Sequence, residues 1–256
     1  MLLEVLGCHG GDVPHKRLPS FLINGRLLLE AGSVTSALPL GAQSAIEHVL
    51  LSHAHLDHVV GLAFLLDNVQ STQTASGQPS SLTAASIAPV VEDLRSHCFN
   101  GRLWPDFTRL PTGEEPGLRL ETLKDREPVE IGGLTVIPVP VHHAVPGTGF
   151  VLHDGASGIV FSGDTGPTTD LWEVARELQH LRAIVVETAF PNRLESLARV
   201  AGHFTPALLQ REMEKMPDAP LWVYHIKPAF YEETVEELEK LGERVHILEQ
   251  DQTHTF

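Results

Sequence analysis

Cysteine is scarce in this chain of 256 residues, and long apolar runs are missing. Two cysteines, Cys8 and Cys98, are too few for a disulfide framework or a four-thiolate metal site, so a reducing cytosol is the expected compartment. No apolar run approaches the ~18 residues that span a bilayer, and residues 1–5 lack the basic head of a signal peptide. The sequence therefore predicts a soluble, cytoplasmic protein with no membrane partner.

Basic residues are also few. Eighteen lysines and arginines stand against 33 aspartates and glutamates, which gives a formal net charge of -15. A chain with this charge repels a nucleic-acid backbone, so we expect no long nucleic acid as a partner. Hydrophobic residues make up 42% of the chain, an ordinary globular proportion. No linker rich in glycine, serine or charge divides it, so residues 1–256 are expected to form a single domain.

Short apolar runs of β type alternate with helical patterns along the chain. Asn24-Gly25 is a strong hairpin signal between two such runs. Strands are predicted at residues 2–6, 21–23, 27–29, 46–51, 118–123, 134–141, 149–153, 158–161, 183–187, 221–224 and 245–248. Because strands and then helices occur in each half, the pattern suits two packed sheets with helices outside.

Helices are predicted at residues 61–66, 89–98, 170–181, 194–200, 206–216 and 232–241. The helix at 206 begins with Thr205 as its N-cap and Pro206 in its first turn. The stretch 70–81 is small and polar, which predicts an exposed loop.

The densest cluster of metal-ligand residue types follows the predicted strand 46–51. It contains His53, His55, Asp57 and His58. A turn that leaves a strand can direct alternate side chains toward one centre, so the first two can bind one cation and the last two a second. The alternative is a polar surface loop, which we disfavour because the segment follows a strongly apolar strand and buried histidines without partners are costly.

Two cations need more than four ligands, and His143, Asp164 and His225 also follow predicted strands. A carboxylate that bridges both ions and one further imidazole for each would complete the set, which makes Asp164 the natural bridge. Each of these residues has an ordinary alternative. A histidine after a strand is often a hydrogen-bonded structural residue, and an aspartate after glycine often turns the chain. His142 competes with His143 for the third position.

The motif at residues 53–58 resembles the His-x-His-x-Asp-His motif of the metallo-β-lactamase superfamily. The resemblance implies an α/β fold, a four-layered αβ/βα sandwich with a dinuclear site at its edge. One metal would be bound by His53, His55 and His143. The other would be bound by Asp57, His58 and His225, with Asp164 shared by both. His143 is preferred to His142 because residues 143–150 look like the His-x-Val-Pro-x-x-Gly-aromatic stretch of phosphodiesterase branches.

Longer segments resemble the class II cyclic nucleotide phosphodiesterases. They are residues 53–59 with 61–62, residues 99–100 with 104–107, residues 190–192 with 202–206, and residues 225–228. The Gly-His-x-Thr-Pro sequence at 202–206 and the His-x-Lys-Pro sequence at 225–228 are the more specific ones. The chain departs from the family at 63–67, where Ala-Phe-Leu-Leu-Asp replaces an aliphatic pair and a small Ser-Ala or Ser-Pro step. This departure leaves the metal motif intact, but the family's preference among nucleotides is not transferred to this chain.

The expected reaction is hydrolysis of a 3′,5′-cyclic nucleotide, cAMP or cGMP, to the nucleoside 5′-monophosphate. Two divalent cations, Zn²⁺ first and Mn²⁺ or Fe as alternatives, would supply a bridging hydroxide at neutral pH. Asp57 would orient that hydroxide, and His203 would protonate the leaving oxygen unless it only hydrogen-bonds the start of the following helix. Substrate contacts are expected from His203, Lys227, Asn100 and Phe190. The candidates for an aromatic wall against the base are Trp104, Phe107, Phe190 and Phe204.

Rival functions remain open from the sequence. A tRNA 3′-processing endonuclease would share the ligand pattern, but the charge of -15 opposes it. A thioesterase of the glyoxalase II type would not need the phosphodiesterase segments. A non-catalytic metal-binding nucleotide sensor would bind without hydrolysing, although every ligand position is filled. Base rates favour a homodimer.

Overall fold

The computed structural model describes residues 1–76 and 81–256, with the side chains of 73–76 left aside. Its strands are β1 (Leu2–Gly7), β2 (Ser20–Ile23), β3 (Leu27–Leu29), β4 (His48–Leu50), β5 (Leu82–Ile87), β6 (Leu118–Leu123), β7 (Val129–Ile131), β8 (Leu134–Pro140), β9 (Thr148–His153), β10 (Gly158–Phe161), β11 (Leu181–Glu187), β12 (Leu221–Tyr224), β13 (Val245–Ile247) and β14 (Thr253–Thr255). Within these ranges they form two seven-stranded sheets.

The first sheet has the order β14-β1-β2-β3-β4-β5-β6, and the second has the order β13-β12-β11-β10-β9-β8-β7. Strands β3 to β6 pair in parallel, as do β10 to β13. Strand β8 runs in the same direction as β10 because both are antiparallel to β9. The carboxyl ends of these strands carry the loops that hold the candidate ligands, since a parallel set presents its loops at one edge.

The core lies in three apolar layers, one between the sheets and one outside each. Phe21 and Ile23 of β2 face the layer between the sheets, while Leu22 faces the outer layer of the first sheet. In the second sheet Phe161 faces inward and Val160 faces outward. Both faces of each sheet are therefore buried, which explains why several strands are continuous apolar runs rather than alternating ones. The architecture is the expected sandwich of two sheets between layers of helices.

Helices cover the outer faces of both sheets. They are α1 (Val34–Ala37), α2 (Leu40–Gln43), α3 (Leu56–Ser76), α4 (Ala88–Asp93), α5 (Asp170–Glu177), α6 (Glu195–Ala201), α7 (Pro206–Met213) and α8 (Tyr231–Leu238). A π-helical turn, Leu94–Cys98, continues α4. Helix α3 packs on the first sheet through Leu62 and Leu66, and α5 packs on the second through Trp172.

The predicted Asn24-Gly25 hairpin is confirmed. Both residues have positive φ, 50° and 70°, and Arg26 N donates to Ile23 O at 3.1 Å. This is the mirror-image turn whose twist matches paired strands. The N-cap at Thr205 is also confirmed, because its side chain accepts a hydrogen bond from Leu208 N at 3.3 Å.

The predicted exposed loop at 70–81 is wrong over its first part. Helix α3 runs from Leu56 to Ser76, well beyond the predicted 61–66, because Leu65 and Val69 continue its buried stripe and carry the polar end with them. Residues 77–80 lie outside the described residues. Strand β5 was missed because Ala84, Ala85 and Ser86 have low β propensity. Helices α5 and α7 end earlier than predicted, at Glu177 and Met213.

Both cysteines are free thiols, as expected. In the part of the chain that the structure describes, no helix is both long and apolar enough to cross a membrane.

Candidate functional site

The candidate ligands meet where several strands end. The segment from Ser52 to the start of α3 follows β4, His143 follows β8, Asp164 follows β10, and His225 follows β12. His53, His58, Asp164 and His225 are each at most 2% exposed. Polar side chains at such burial need partners, so the way they satisfy one another defines the site.

The first predicted group, His53, His55 and His143, is brought together. Their ligand atoms lie within 4.8 Å of one another. His53 Nε2 is 3.0 Å from His55 Nδ1, and His143 Nε2 is 3.3 Å from the same atom. His142 is absent from the ligand groups found among the described residues, and its backbone N–H and C=O instead contact Thr165 and Gly166. The preference for His143 therefore agrees with the geometry.

The second predicted group, Asp57, His58 and His225, also lies within 4.8 Å. His225 Nε2 is 3.3 Å from both Asp57 Oδ2 and His58 Nε2. His225 has a φ of 67°, an uncommon backbone conformation for a residue other than glycine. A sterically restricted backbone at this point turns its ring toward the other two residues.

Asp164 lies between the two groups. Its Oδ2 atom is 3.2 Å from His225 Nε2 and 3.3 Å from His58 Nε2, both in the second group. The same oxygen is 3.8 Å from His53 Nε2 in the first group. Its other oxygen, Oδ1, has no hydrogen-bond partner among the described residues. One buried carboxylate therefore faces both sets of imidazoles.

Polar groups behind the histidines fix their ring orientation. Ser52 Oγ lies 2.9 Å from His53 Nδ1, and Gly202 O lies 3.0 Å from His143 Nδ1. An Nδ1–H that donates to such an oxygen leaves the Nε2 lone pair free to bind a cation.

Glu30, which follows β3, lies against the Nδ1 side of the His58 ring, as Ser52 and Gly202 do for His53 and His143. Its Oε2 atom is 3.3 Å from His58 Nδ1, and its Oε1 atom accepts a hydrogen bond from Ser52 N. Glu30 is fully buried and has a φ of 60°. The chain therefore places a carboxylate at this point despite an unfavourable backbone conformation and the cost of burial.

These residues fit a site for divalent cations. Imidazole nitrogens that approach one another at 3.0 to 3.3 Å hold converging lone pairs, which is unfavourable without a proton or cation between them. Asp164 Oδ1 and His225 Nδ1 are two further buried polar atoms that have no hydrogen-bond partner in the described part of the chain. Imidazole together with carboxylate is the donor set that zinc-type ions prefer.

The charge states suit ligation. Burial, reinforced by the charge of His58, lowers the pKa of His53 well below its usual value. Burial also lowers the pKa of His143, to about 4. For Asp164, burial alone would raise the pKa, but His225 and His58 outweigh it and hold the pKa well below the usual range. For His58, burial alone would lower the pKa, but Asp164 and Glu30 outweigh it and raise the pKa well above the usual value. Neutral His53 and His143 beside an ionised Asp164 are in the form that binds a cation, and a cation bound at His58 would displace the proton of that ring.

His203 lies beside this cluster and is held by a buried carboxylate. Its Nδ1 atom is 2.8 Å from Glu187 Oε1, and its ring stacks on that of His225 at 5.4 Å. The same Glu187 oxygen accepts hydrogen bonds from Thr165 N and Phe204 N. Burial lowers the pKa of His203 and raises that of Glu187. With Nδ1 engaged, Nε2 is the ring atom available to a substrate.

Of the predicted substrate contacts, the structure brings together His203, Phe190 and Lys227, and it places Asn100 elsewhere. The rings of Phe190 and His203 are 5.6 Å apart, and Lys227 Nζ is 5.6 Å from the Phe190 ring centroid. Asn100 is exposed, and its amide bonds its own loop through Ser96 O, Arg102 N and Leu103 N.

Sequence reasoning missed Glu30 and Glu187. Each carboxylate stands at the end of a buried apolar strand, Glu30 after β3 and Glu187 as the last residue of β11. That is the same signal that singled out Asp164. Neither glutamate lies in a motif that resembles a metal-ligand motif, so the sequence does not single them out.

Comparisons with known proteins show the family and the fold of this chain. Residues 29–249 match the family described as Beta-lactamase superfamily domain. The probable 3′,5′-cyclic-nucleotide phosphodiesterase of Yersinia pestis is 28% identical over 278 residues, which cover 88% of this chain and 78% of that protein. The crystal structure of unliganded yeast PDE1 has a TM-score of 0.79 at 20% identity and covers 98% of both chains.

The metallo-beta-lactamase fold protein YhfI from Bacillus subtilis has a TM-score of 0.76 at 17% identity, covering 99% of this chain and 98% of that one. At these identities the two structures bear on the fold alone. The family match spans most of the chain and includes all the predicted ligand residues. The chain belongs to the beta-lactamase superfamily and has the metallo-β-lactamase fold.

Proposed function

We propose that this protein is a metal-dependent phosphodiesterase that hydrolyses a 3′,5′-cyclic nucleotide, cAMP or cGMP, to the nucleoside 5′-monophosphate. The observation that carries the proposal is the position of Asp164 between two groups that each contain histidines, with His203 and Glu187 beside them. The Yersinia relative, named as a probable cyclic-nucleotide phosphodiesterase, supports the substrate class. The net charge of -15 favours a small substrate over a long polyanion.

Two divalent cations would be held at this site. His53, His55 and His143 would bind one, Asp57, His58 and His225 the other, and Asp164 both. Zn²⁺ suits these donors first, and Mn²⁺ or Fe can replace it. When bound, such cations supply positive charge for phosphate oxygens and lower the pKa of water. Asp57, whose carboxylate faces the second group, would also orient the attacking water.

His203 would give a proton to the departing 3′ oxygen. Its Nδ1 atom is 2.8 Å from Glu187 Oε1, which fixes the ring and leaves Nε2 as the proton donor. Because burial lowers the pKa of His203 and raises that of Glu187, Nδ1 would take up the proton of Glu187 as Nε2 releases its own. A positioned acid of this kind contributes roughly 10²- to 10⁴-fold to a rate. Lys227 and Phe190, which lie on the same side as His203, would contact the phosphate or the sugar. Asn100 would act indirectly, by holding the loop that leads to Trp104.

The proposal is tested by assaying the zinc-loaded protein against cAMP, cGMP, a 2′,3′-cyclic nucleotide and a tRNA precursor. Turnover of a 3′,5′-cyclic nucleotide is expected. We expect His55→Ala or Asp164→Ala to abolish hydrolysis and lower the bound metal measured by elemental analysis. His203→Ala is expected to lower turnover with metal content unchanged.

Binding without turnover would show a sensor instead, and cleavage of the tRNA precursor alone would show an endonuclease. Equal metal loss in all three variants would refute the proton-donor role of His203. The homodimer and the cytoplasmic location stay predictions from the sequence.

A further inference from the structure

An apolar cavity of about 620 Å³ adjoins the candidate metal site on the side of His55. Helix α3, the π-helical turn after α4 and the loop at Leu103 and Trp104 form its walls. Its volume lies within the ~300–1,000 Å³ typical of small-molecule sites. Because His55 lines the cavity and also belongs to the first ligand group, a molecule bound here is continuous with the candidate metal site.

Large apolar side chains are exposed around this cavity. Leu56 is 71% exposed, Phe64 is 49% exposed and Leu103 is 67% exposed, and all three line it. Single exposed apolar residues need no explanation, but several on one concave surface mark a binding site.

Two aromatic rings, those of Phe64 and Trp104, also line this cavity. Phe64 and Trp104 meet edge to face, with centroids 5.3 Å apart and an interplanar angle of 72°. Trp104 is half-buried and packs against the apolar layer beneath α3 and α4, so its position is fixed. Phe64 keeps half of its surface open to a ligand. A flat heterocycle can stack on that open surface.

The other aromatic candidates for a base wall are used elsewhere. Phe107 is 7% exposed and packs beneath α3, and Phe204 is fully buried under the second sheet. Phe190 is 6% exposed and lies against His203 on the other side of the site. Because these three rings are buried, they offer no wide surface on which a base could stack.

Phe64 also falls in the segment 63–67, where the sequence departs from the phosphodiesterase pattern. The residue that offers the open stacking surface is therefore one that this chain does not share with that pattern.

We infer that the cavity binds the nucleobase of the substrate, stacked on Phe64 with Trp104 as the fixed wall, and selects purine over pyrimidine cyclic nucleotides. The inference rests on the proposed function, because it places the phosphate at the candidate metal site and the base one sugar ring away. Purines are preferred because their two fused rings cover more apolar surface than a single pyrimidine ring.

The kinetic test compares the wild type with Phe64→Ala, and uses Leu40→Ala as the control. Leu40 is also exposed, at 56%, but it lies on α2 rather than among the residues that line the cavity. The substrates are cAMP, cCMP and 1-deoxyribose 3′,5′-cyclic phosphate, which has no base. Phe64→Ala should raise KM for cAMP roughly 5- to 140-fold, which corresponds to the ~1–3 kcal/mol of a stacked base.

In the same variant kcat should stay within about twofold, because stacking acts on binding in the ground and transition states alike. The base-free phosphate should be hydrolysed by the wild type and by Phe64→Ala at the same rate. Leu40→Ala should match the wild type on all three substrates.

A binding test that needs no turnover uses Cys98, which lines the cavity, while Cys8 is only 2% exposed. AMP at increasing concentration should slow the alkylation of Cys98 by N-ethylmaleimide, and CMP should do so at higher concentration. Phe64→Ala should lose most of this protection.

The two tests separate the inference from the proposed function. If no cyclic nucleotide is hydrolysed but AMP still protects Cys98, the proposed function fails and the base site stands. If cAMP is hydrolysed and Phe64→Ala leaves its KM and the protection unchanged, the inference is overturned. Protection of Cys98 by a long-chain alkyl phosphate and not by AMP would also overturn it, since the cavity would then suit an acyl chain.

Discussion

Gly202 is a position where one methyl group should disturb the candidate metal site directly. It ends α6 with a φ of 68°, and its carbonyl oxygen lies 3.0 Å from His143 Nδ1. A Cβ atom added to Gly202 would lie 2.7 Å from the Cα atom of His143. The replacement Gly202→Ala therefore strains the backbone and pushes on a candidate ligand at the same time. Gly25 is a matched control, because its φ is 70° and, its two chain neighbours aside, no other described residue has an atom within 4 Å of its added Cβ.

The magnitudes follow from these contacts. A left-handed conformation costs a residue with a side chain about 1–2 kcal/mol, and this applies to both variants. Overpacking against a backbone atom adds about 1–3 kcal/mol, and this applies to Gly202→Ala alone. We therefore expect a loss of about 1–2 kcal/mol of unfolding free energy for Gly25→Ala and about 2–5 kcal/mol for Gly202→Ala.

Metal binding should separate the two variants further. Displacing the group behind a metal-bound histidine typically lowers metal affinity by about 10- to 100-fold. Urea unfolding of the metal-free proteins measures the first effect, and zinc titration against a competing chelator measures the second. If Gly202→Ala matches Gly25→Ala in both measurements, the contact with His143 does not support the site and this reasoning is refuted.

Two further predictions follow from buried groups. Replacing Glu30 with Gln should lower zinc affinity about 10- to 100-fold, because the carboxylate 3.3 Å from His58 Nδ1 raises the basicity of that ring. Unchanged affinity in the chelator titration would show that Glu30 only fills space. Burial raises the pKa of the Cys8 thiol to about 12 and also raises that of Cys98. Cys8 is buried and Cys98 is only partly buried, so iodoacetamide should label Cys98 in the native protein well before Cys8. Peptide mass spectrometry checks this, and labelling of Cys8 as fast as Cys98 before urea is added would contradict it.

Local chemistry explains why much of the site was accessible from the sequence. The cluster at residues 53–58 follows an apolar strand, and three more candidate ligands follow other apolar strands. Because parallel strands present their carboxyl ends at one edge, residues far apart in the chain were expected to meet there. In the structure, the ligand atoms within each predicted group lie within 4.8 Å of one another.

Contacts between distant segments explain what was missed. Glu187 contacts His203 across 16 positions, and Glu30, just after β3, contacts His58 in the first turn of α3. Neither pairing follows a spacing rule, because each depends on how two loops pack. The length of α3 was also missed, since its polar last turns are helical only because the buried stripe before them docks on the sheet.

Reading the chain residue by residue is enough to predict the layered α/β architecture, the hairpin at Asn24-Gly25 and the set of candidate ligands. These depend on apolar periodicity, on turn residues with positive φ and on the donor chemistry of imidazole and carboxylate, which are local properties. The folded chain is needed to see which carboxylates stand behind the histidines and which aromatic ring keeps an open surface beside His55. Those features arise from packing between segments far apart in the chain, and burial at such contacts is fixed by the whole fold rather than by neighbouring residues.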